Sequence, residues 1–256
     1  MSPQLAARLR QERTHGLGAV LKGTMSVVGS DIAALVHELQ PRFLEGLNPI
    51  ELQSILAAAK QRRFVANFVI AHQGHPAEHL FLLLKGRARL VFVTPDGESM
   101  LLSWLPPGEM LGGAALMSKR LHYLVNTEVL KNSCVLLWDR ATIRGLVAKY
   151  PKLLDNALSI AWDYLDSALA HQLSLARHTA QQRLAQVLMN LASGIGHRVP
   201  GGMELVVSNE DLANAANITP FTASRLLSQW QRRGMLTKSR GKVLLRHPEH
   251  LVLHQV

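Results

Sequence analysis

Four side chains within five residues, Phe221, Thr222, Ser224 and Arg225, have the chemistry to read a base pair. A guanidinium gives two N–H bonds to the O6 and N7 of guanine, a hydroxyl donates or accepts at either base edge, and an aromatic ring packs on the thymine methyl. Around them stand hydroxyls and cations suited to phosphates: Ser208, Thr219, Ser228, Lys238, Arg240 and Lys242. The competing reading of the same residues is a solvated helical pair with scattered arginines. The order of the local signals between them decides for the first.

Such residues need a scaffold that holds them on one exposed surface. Ser208 and Asp211, three residues apart, can cap a helix start, and Leu212, Ala213 and Ala216 give that helix a short apolar face. Asn217 tolerates the left-handed backbone of a sharp turn. Thr219 can cap a second helix with Pro220 at its first position, where a missing N–H costs nothing. That helix buries Ala223, Leu226, Leu227 and Trp230 and turns Phe221, Thr222, Ser224, Arg225 and Ser228 largely the other way. Met235 to Leu245 reads as two short strands about Ser239-Arg240-Gly241, a basic wing against the phosphates. Together these predict a winged helix-turn-helix whose second helix enters the major groove of double-stranded DNA.

The chain has 256 residues, room for two domains with a core each. Its 28 Lys and Arg against 18 Asp and Glu leave a net charge of +10, which favours a polyanionic partner. The excess is uneven. From Thr179 onward nine cations (Arg183, Arg198, Arg225, Arg232, Arg233, Lys238, Arg240, Lys242, Arg246) face four acids (Glu204, Glu210, Asp211, Glu249). A single cysteine, Cys134, excludes an internal disulfide and a four-cysteine iron–sulfur site. There is no apolar run of about 18 residues and no secretory h-region after Met1. No membrane partner is expected, and the expected location is the cytoplasm.

Upstream the pattern changes several times. Residues 1–30 are basic and glycine-spaced, with a short helix over Leu5–Arg13, and read as a mobile extension rather than a DNA-contacting arm. Helices are expected over Ala33–Phe43 and Ile50–Lys60, the second capped at Asn48-Pro49. From Phe64 to Trp138 short apolar runs (Phe68–Ala71, Leu80–Leu84, Ala88–Phe92, Met100–Leu105, Val125–Val129, Val135–Trp138) alternate with glycine turns, the pattern of a small antiparallel barrel or jelly roll. Asp139 to Tyr150 returns to helix. Beyond Pro151, Leu154, Leu158, Ala161, Leu165, Ala168, Gln172 and Leu175 recur at steps of four and three, a seam between two helices packed side by side. The same seam would suit a long helix lying on its own barrel. A homodimer is preferred because helix-turn-helix modules usually read twofold-related half-sites in pairs. Thr179 and Gln182 form a second capping box ahead of a helix over Gln181–Ala192, and Met203–Val207 is expected as a strand leading to Ser208.

Barrel, long helix and winged helix-turn-helix, in that order, resemble the CRP/FNR family of bacterial transcription regulators. The likeness runs over about residues 40–250 and rests on Gln73-Gly74, Leu84-Lys85-Gly86, Pro107-Gly108-Glu109, Arg183-Leu184-Ala185, Asn209 to Ala213, and Ser224 to Leu227. It implies an α+β fold: an N-terminal double-stranded β-helix (a cyclic-nucleotide-binding-like jelly roll), a long dimerisation helix and a C-terminal winged helix-turn-helix. The division expected is a basic extension (1–30), a β-barrel sensor domain (31–150), the dimerisation helix (151–178) and the DNA-binding domain (179–256). By the same resemblance the protein is a sequence-specific regulator and not an enzyme. Arg225 is then a base reader, Ser224 a base or phosphate contact, a palindromic promoter the target, and RNA polymerase a partner if the protein activates. Many members carry Glu where Phe221 stands, so the half-site is expected to depart from the family's common TTGA or TGTGA cores.

In cyclic-AMP-binding members the phosphate turn reads Phe-Gly-Glu, an Arg follows some ten residues on, and a Thr-Ser pair of the long helix meets the adenine. Here the turn reads Leu111-Gly112-Gly113-Ala114, Tyr123 falls where the Arg would be, and Ala168-Leu169 replace the pair. A buried cyclic phosphate with no cation beside it is strongly disfavoured, so cyclic AMP is not expected, although Arg120 and His122 are near in sequence. The effector pocket expected from the resemblance is Leu111, Gly112, Gly113, Ala114, Tyr123, Leu124, Ala168 and Leu169. Carbon-monoxide-sensing members hold haem through Cys and His in the turn, where Gly112 and Ala114 stand. Haem on other ligands is left open by twelve histidines, among them His72, His75, His79, His122, His171 and His178, and no cofactor is predicted. From another class, a cupin-type metalloenzyme would use the cluster His72, His75, Glu78 and His79. The gaps of three and four, with Pro76 between, do not put two histidines on one face of a strand, and no metal site is expected.

Overall fold

The computed structural model describes residues 29–239, 241–246 and 251; the helix expected over Leu5–Arg13 and the wing-tip Arg240 lie outside them. Helix α1 (Gly29–Leu39) stops before Phe43, because Gln40 adopts φ +44° and Pro41 cannot continue a helix. Arg42–Leu44 form a 3-10 turn that buries Phe43 and Leu44. Helix α2 (Pro49–Ala57) opens on a complete capping box between Asn48 and Glu51. It ends before the expected Lys60 because Lys60–Phe64 is strand β1, paired along its length with residues 133–137. Only Phe64 of that strand is buried, so a search for apolar runs passes over it.

The barrel comprises β1 with β2 (Val69–Ala71), β3 (His79–Lys85), β4 (Ala88–Val93), β5 (Ser99–Leu105), β6 (Met110–Leu111), β7 (Asn126–Val129) and β8 (Ser133–Asp139). They form two four-stranded antiparallel sheets, ordered β1-β8-β3-β6 and β2-β7-β4-β5. Leu80, Leu82, Leu105, Val129, Val135 and Trp138 lie in the core they share. Trp138 Nε1 donates to Ile55 O at 2.9 Å, and the Phe43 ring meets the indole edge-on at 6.5 Å between centroids. Those contacts tie the N-terminal helices to the barrel. Helix α3 (Arg140–Lys149) is capped by Asp139, and α4 (Lys152–Arg177) follows. The first turns of α4 bury Leu153, Ala157 and Ile160 in the barrel core, while Asn156 Nδ2 donates to Phe43 O and Glu45 O.

A second core lies beyond α4. Helix α5 (Ala180–Ile195) starts on the Thr179–Gln182 capping box, and β9 (His197–Val199) and β10 (Gly202–Val206) lead to α6 (Asn209–Ala216), α7 (Pro220–Arg232), β11 (Leu236–Ser239) and β12 (Lys242–Leu245). The sheet runs β11-β12-β10-β9, and Leu184, Leu188, Leu212, Leu227, Trp230 and Val243 fill the space between sheet and helices. Among the described residues no helix is long and apolar enough to cross a membrane.

The turn from β3 to β4 needs a glycine. Gly86 has φ +102°, and a Cβ there would lie 2.1 Å from Ser133 Oγ and 2.8 Å from its Cα. Gly86→Ala is therefore expected to destabilise by more than the roughly 1–3 kcal/mol of backbone strain alone. Gly97→Ala, at φ +89° with nothing within 4 Å, should show the strain without the overlap. Chemical denaturation of the two variants checks the difference.

Candidate nucleic-acid interface

The site begins with the turn between α6 and α7. Ser208 Oγ accepts from Asp211 N at 3.0 Å and donates to Asp211 Oδ2 at 2.7 Å, starting α6. Asn217 ends that helix at φ +49°, ψ +57°, the left-handed backbone expected of it. The last carbonyls of a helix have no partner within it. Arg183, on α5, supplies one: its Nε donates to Ala216 O at 2.8 Å, Nη2 to Asn217 O at 3.1 Å, and Nη1 to His178 O at 2.8 Å. Sequence reasoning noticed Arg183 only within a motif. Its role is a contact across 33 residues and carries no local signal.

Helix α7 is held by Thr219, whose Oγ1 accepts from Thr222 N at 3.1 Å and lies 2.9 Å from Thr222 Oγ1. Ala223, Leu226, Leu227 and Trp230 are buried beneath it, as their spacing predicts. On the outside Phe221 is 79 % exposed, Arg225 is exposed, and Thr222 and Ser224 are half-buried. The wing lies close by: Lys238 N donates to Gln231 Oε1 at 3.1 Å, and Lys238 Nζ is 3.4 Å from Ser224 Oγ. Gln231, which joins α7 to β11, went unnoticed in the sequence.

The remaining residues are disposed differently. Ser228 Oγ donates to Ser224 O at 2.8 Å, within the helix. Lys242 Nζ bonds both carboxylate oxygens of Glu204, at 3.1 and 3.2 Å, which offsets its charge. Ser208 borders a cleft of about 320 Å³ that α6 shares with Arg89, Ser99 and Glu128 of the barrel.

The expected effector residues differ in burial. Gly112 has φ +80°, and a Cβ there would lie 2.6 Å from His79 O and 3.3 Å from a ring carbon of Tyr123. The Tyr123 hydroxyl donates to His79 O at 2.9 Å and accepts from His79 N at 3.1 Å. Burial raises the phenol's pKa against the opposing effect of that hydrogen bond, so it stays neutral. Leu111 is buried, and Gly113 and Ala114 begin a 3-10 turn, Gly113–Leu116. Leu124, by contrast, is 82 % exposed, and Ala168 and Leu169 stand exposed on α4.

On α4 Leu154 is half-buried, because the barrel takes up the helix's first turns. Leu158, Ala161, Leu165, Ala168 and Gln172 are exposed; the side chain of Leu175 lies outside the described residues. Trp162, Leu169 and Leu173 extend the apolar row beyond the expected seam. Among the described residues no three His, Cys, Asp or Glu side chains are grouped to hold a metal ion.

These features define a winged helix-turn-helix DNA-binding protein with a jelly-roll barrel upstream of its long helix. Comparison with known proteins agrees: residues 61–150 match the cyclic nucleotide-binding domain and residues 182–252 the Crp-like helix-turn-helix domain. The chain belongs to the CRP/FNR family of transcription regulators. Relatives include the CRP-like cAMP-activated global transcriptional regulator of Mycobacterium tuberculosis, 20 % identical over 81 % of this chain and 93 % of that one. The nitrogen fixation regulation protein FixK of Azorhizobium caulinodans is 25 % identical over 76 % and 78 %. Among solved structures, the c-di-GMP responsive global regulator CLP of Xanthomonas campestris superposes with TM-score 0.69 at 19 % identity, covering 78 % of this chain and all of that one. FixK2 of Bradyrhizobium japonicum gives 0.66 at 23 %, covering 75 % and 95 %. Both share the fold.

Arg183→Met keeps the aliphatic stem and removes the donors. It is expected to destabilise by about 1.5–3 kcal/mol, the range for hydrogen bonds to charged groups. Amide exchange at Asn217 and Ile218 should rise more than exchange in the barrel strands.

Proposed function

We propose that this protein works as a homodimer, in the cytoplasm, on a palindromic promoter sequence, and that cyclic AMP is not its effector. The reading rests above all on the row Leu158, Trp162, Leu165, Leu169 and Leu173, each 54 to 70 % exposed along one helix. So continuous an apolar row calls for a partner, and a second copy of the same helix offers the matching surface. Two copies of α7 would then meet successive major grooves about 34 Å apart. Phe221, Thr222, Ser224 and Arg225 are the proposed base contacts, with Thr219 and Lys238 on the phosphates and Arg240 at the wing tip. The barrel (31–150), the dimer helix (151–178) and the DNA-binding domain (179–256) are the proposed working units; as an activator it would also meet RNA polymerase.

The case against cyclic AMP is supported by the Leu111–Ala114 turn, which carries no cation and no carboxylate and packs against the Tyr123 ring. A cyclic phosphate held by this turn would meet no cation within it.

Arg225→Ala is expected to weaken operator binding by about 1–3 kcal/mol and to relax one base position, read by selection from random oligonucleotides. Unchanged affinity and selectivity would remove Arg225 from the reading. Leu165→Glu should sediment as a monomer and keep only half-site affinity, and wild-type affinity should be the same with and without cyclic AMP; a dimeric variant, or a strong response to the nucleotide, counts against the proposal.

A further inference from the structure

Strand β4 hands two arginines to the other lobe. Arg87 leads into the strand and Arg89 is its second residue, and a spacing of two sends both side chains from one face of the sheet. Arg87 is 6 % exposed, and its guanidinium donates to Val206 O at 3.1 Å and Ile195 O at 3.2 Å. Those are the last residues of β10 and α5, so the cation also sits at the negative end of a helix. Arg89 Nε donates to Glu128 Oε2 at 2.8 Å and its Nη1 to Asp211 Oδ1 at 3.0 Å. Asp211 is the residue that Ser208 holds at the start of α6. Trp104, paired with Arg89 across β4 and β5, packs on the second core. Among the described residues these contacts leave the outer face of α7 uncovered, with Phe221 79 % exposed.

We propose that Arg87 and Arg89 are positioning residues for DNA binding: they hold the helix-turn-helix at one angle on the barrel and so set the separation of the two recognition helices. The inference rests on the dimeric DNA-binding reading given above. A buried guanidinium met by carbonyls of the other lobe resists undocking, because separation leaves the charge and both carbonyls in search of partners. The more exposed Arg89–Asp211 pair contributes direction more than strength, limiting rotation about the Arg87 contact. With that angle held, two lobes meet DNA at one spacing; with it loose, they meet at several.

The test uses the full-length protein and operators built from the half-sites that the wild type itself selects, at a series of shortened and lengthened spacers. Wild-type selection, run first, tests the parent reading separately. Arg89→Glu is expected to bind the best-spaced operator about tenfold more weakly, the scale of coupling between contacting residues. Its affinity for an isolated half-site should be unchanged and its preference among spacers flattened. Asp211→Asn, which removes the charge facing Arg89 and leaves an acceptor for the Ser208 hydroxyl, should flatten the spacer profile in the same direction. Arg87→Met is followed with its thermal unfolding alongside, and the Arg89 variants decide the matter if it does not fold. A wild-type spacer profile in Arg89→Glu overturns the proposal. Tighter binding by that variant overturns it too, because the contact would then restrain DNA binding instead of aligning it.

Discussion

Between Ala216 and Pro220 the backbone passes from one helix to the next in a few residues, and the reading surface depends on that reversal holding. Left-handed geometry at Asn217 aims the chain, but it also strands carbonyls at the end of α6. A single guanidinium from α5 meets two of them, so the turn is clamped to a third helix. Once α6 and α7 are set at that angle, Ala223, Leu226, Leu227 and Trp230 have one place to go, and Phe221 and Arg225 are left outside. Gln231 then fixes the wing to the same helix, bringing Lys238 beside Ser224.

In the barrel a similar economy operates with different atoms. The stretch matching a cyclic nucleotide-binding domain keeps its two sheets and its glycine at the turn, where the backbone passes within contact of His79 O. The polar groups of such a turn are absent, and Tyr123 bonds both the N–H and the carbonyl of His79. A phenol hydroxyl that satisfies backbone groups in this way, with its ring beside Gly112, braces β3 against the turn.

Helix α4 has to serve two surfaces at once. Leu153, Ala157 and Ile160 go into the barrel, and a second row beginning at Leu158 faces outward. Both rows obey the same steps of three and four, since any apolar pair at those steps lies on one helical face. Periodicity therefore identifies a helix with apolar faces but does not say which face meets which neighbour.

This asymmetry runs through the whole chain. Caps at Asn48, Thr179, Ser208 and Thr219, the turn at Asn217 and the buried face of α7 were all legible in the sequence, because each is settled by side chains within about four residues of one another. Most of the barrel strands were legible from alternation and glycine turns. Strand β1, with one buried side chain, and β6, with two residues, were not, because pairing alone makes them strands. The partners of Arg183, Arg87 and Gln231, the barrel-side placement of Ser208 and the exposure of Leu124 were decided only by the tertiary structure. Each depends on which distant segments pack together, and a long polar side chain can reach several acceptors until that packing leaves it one.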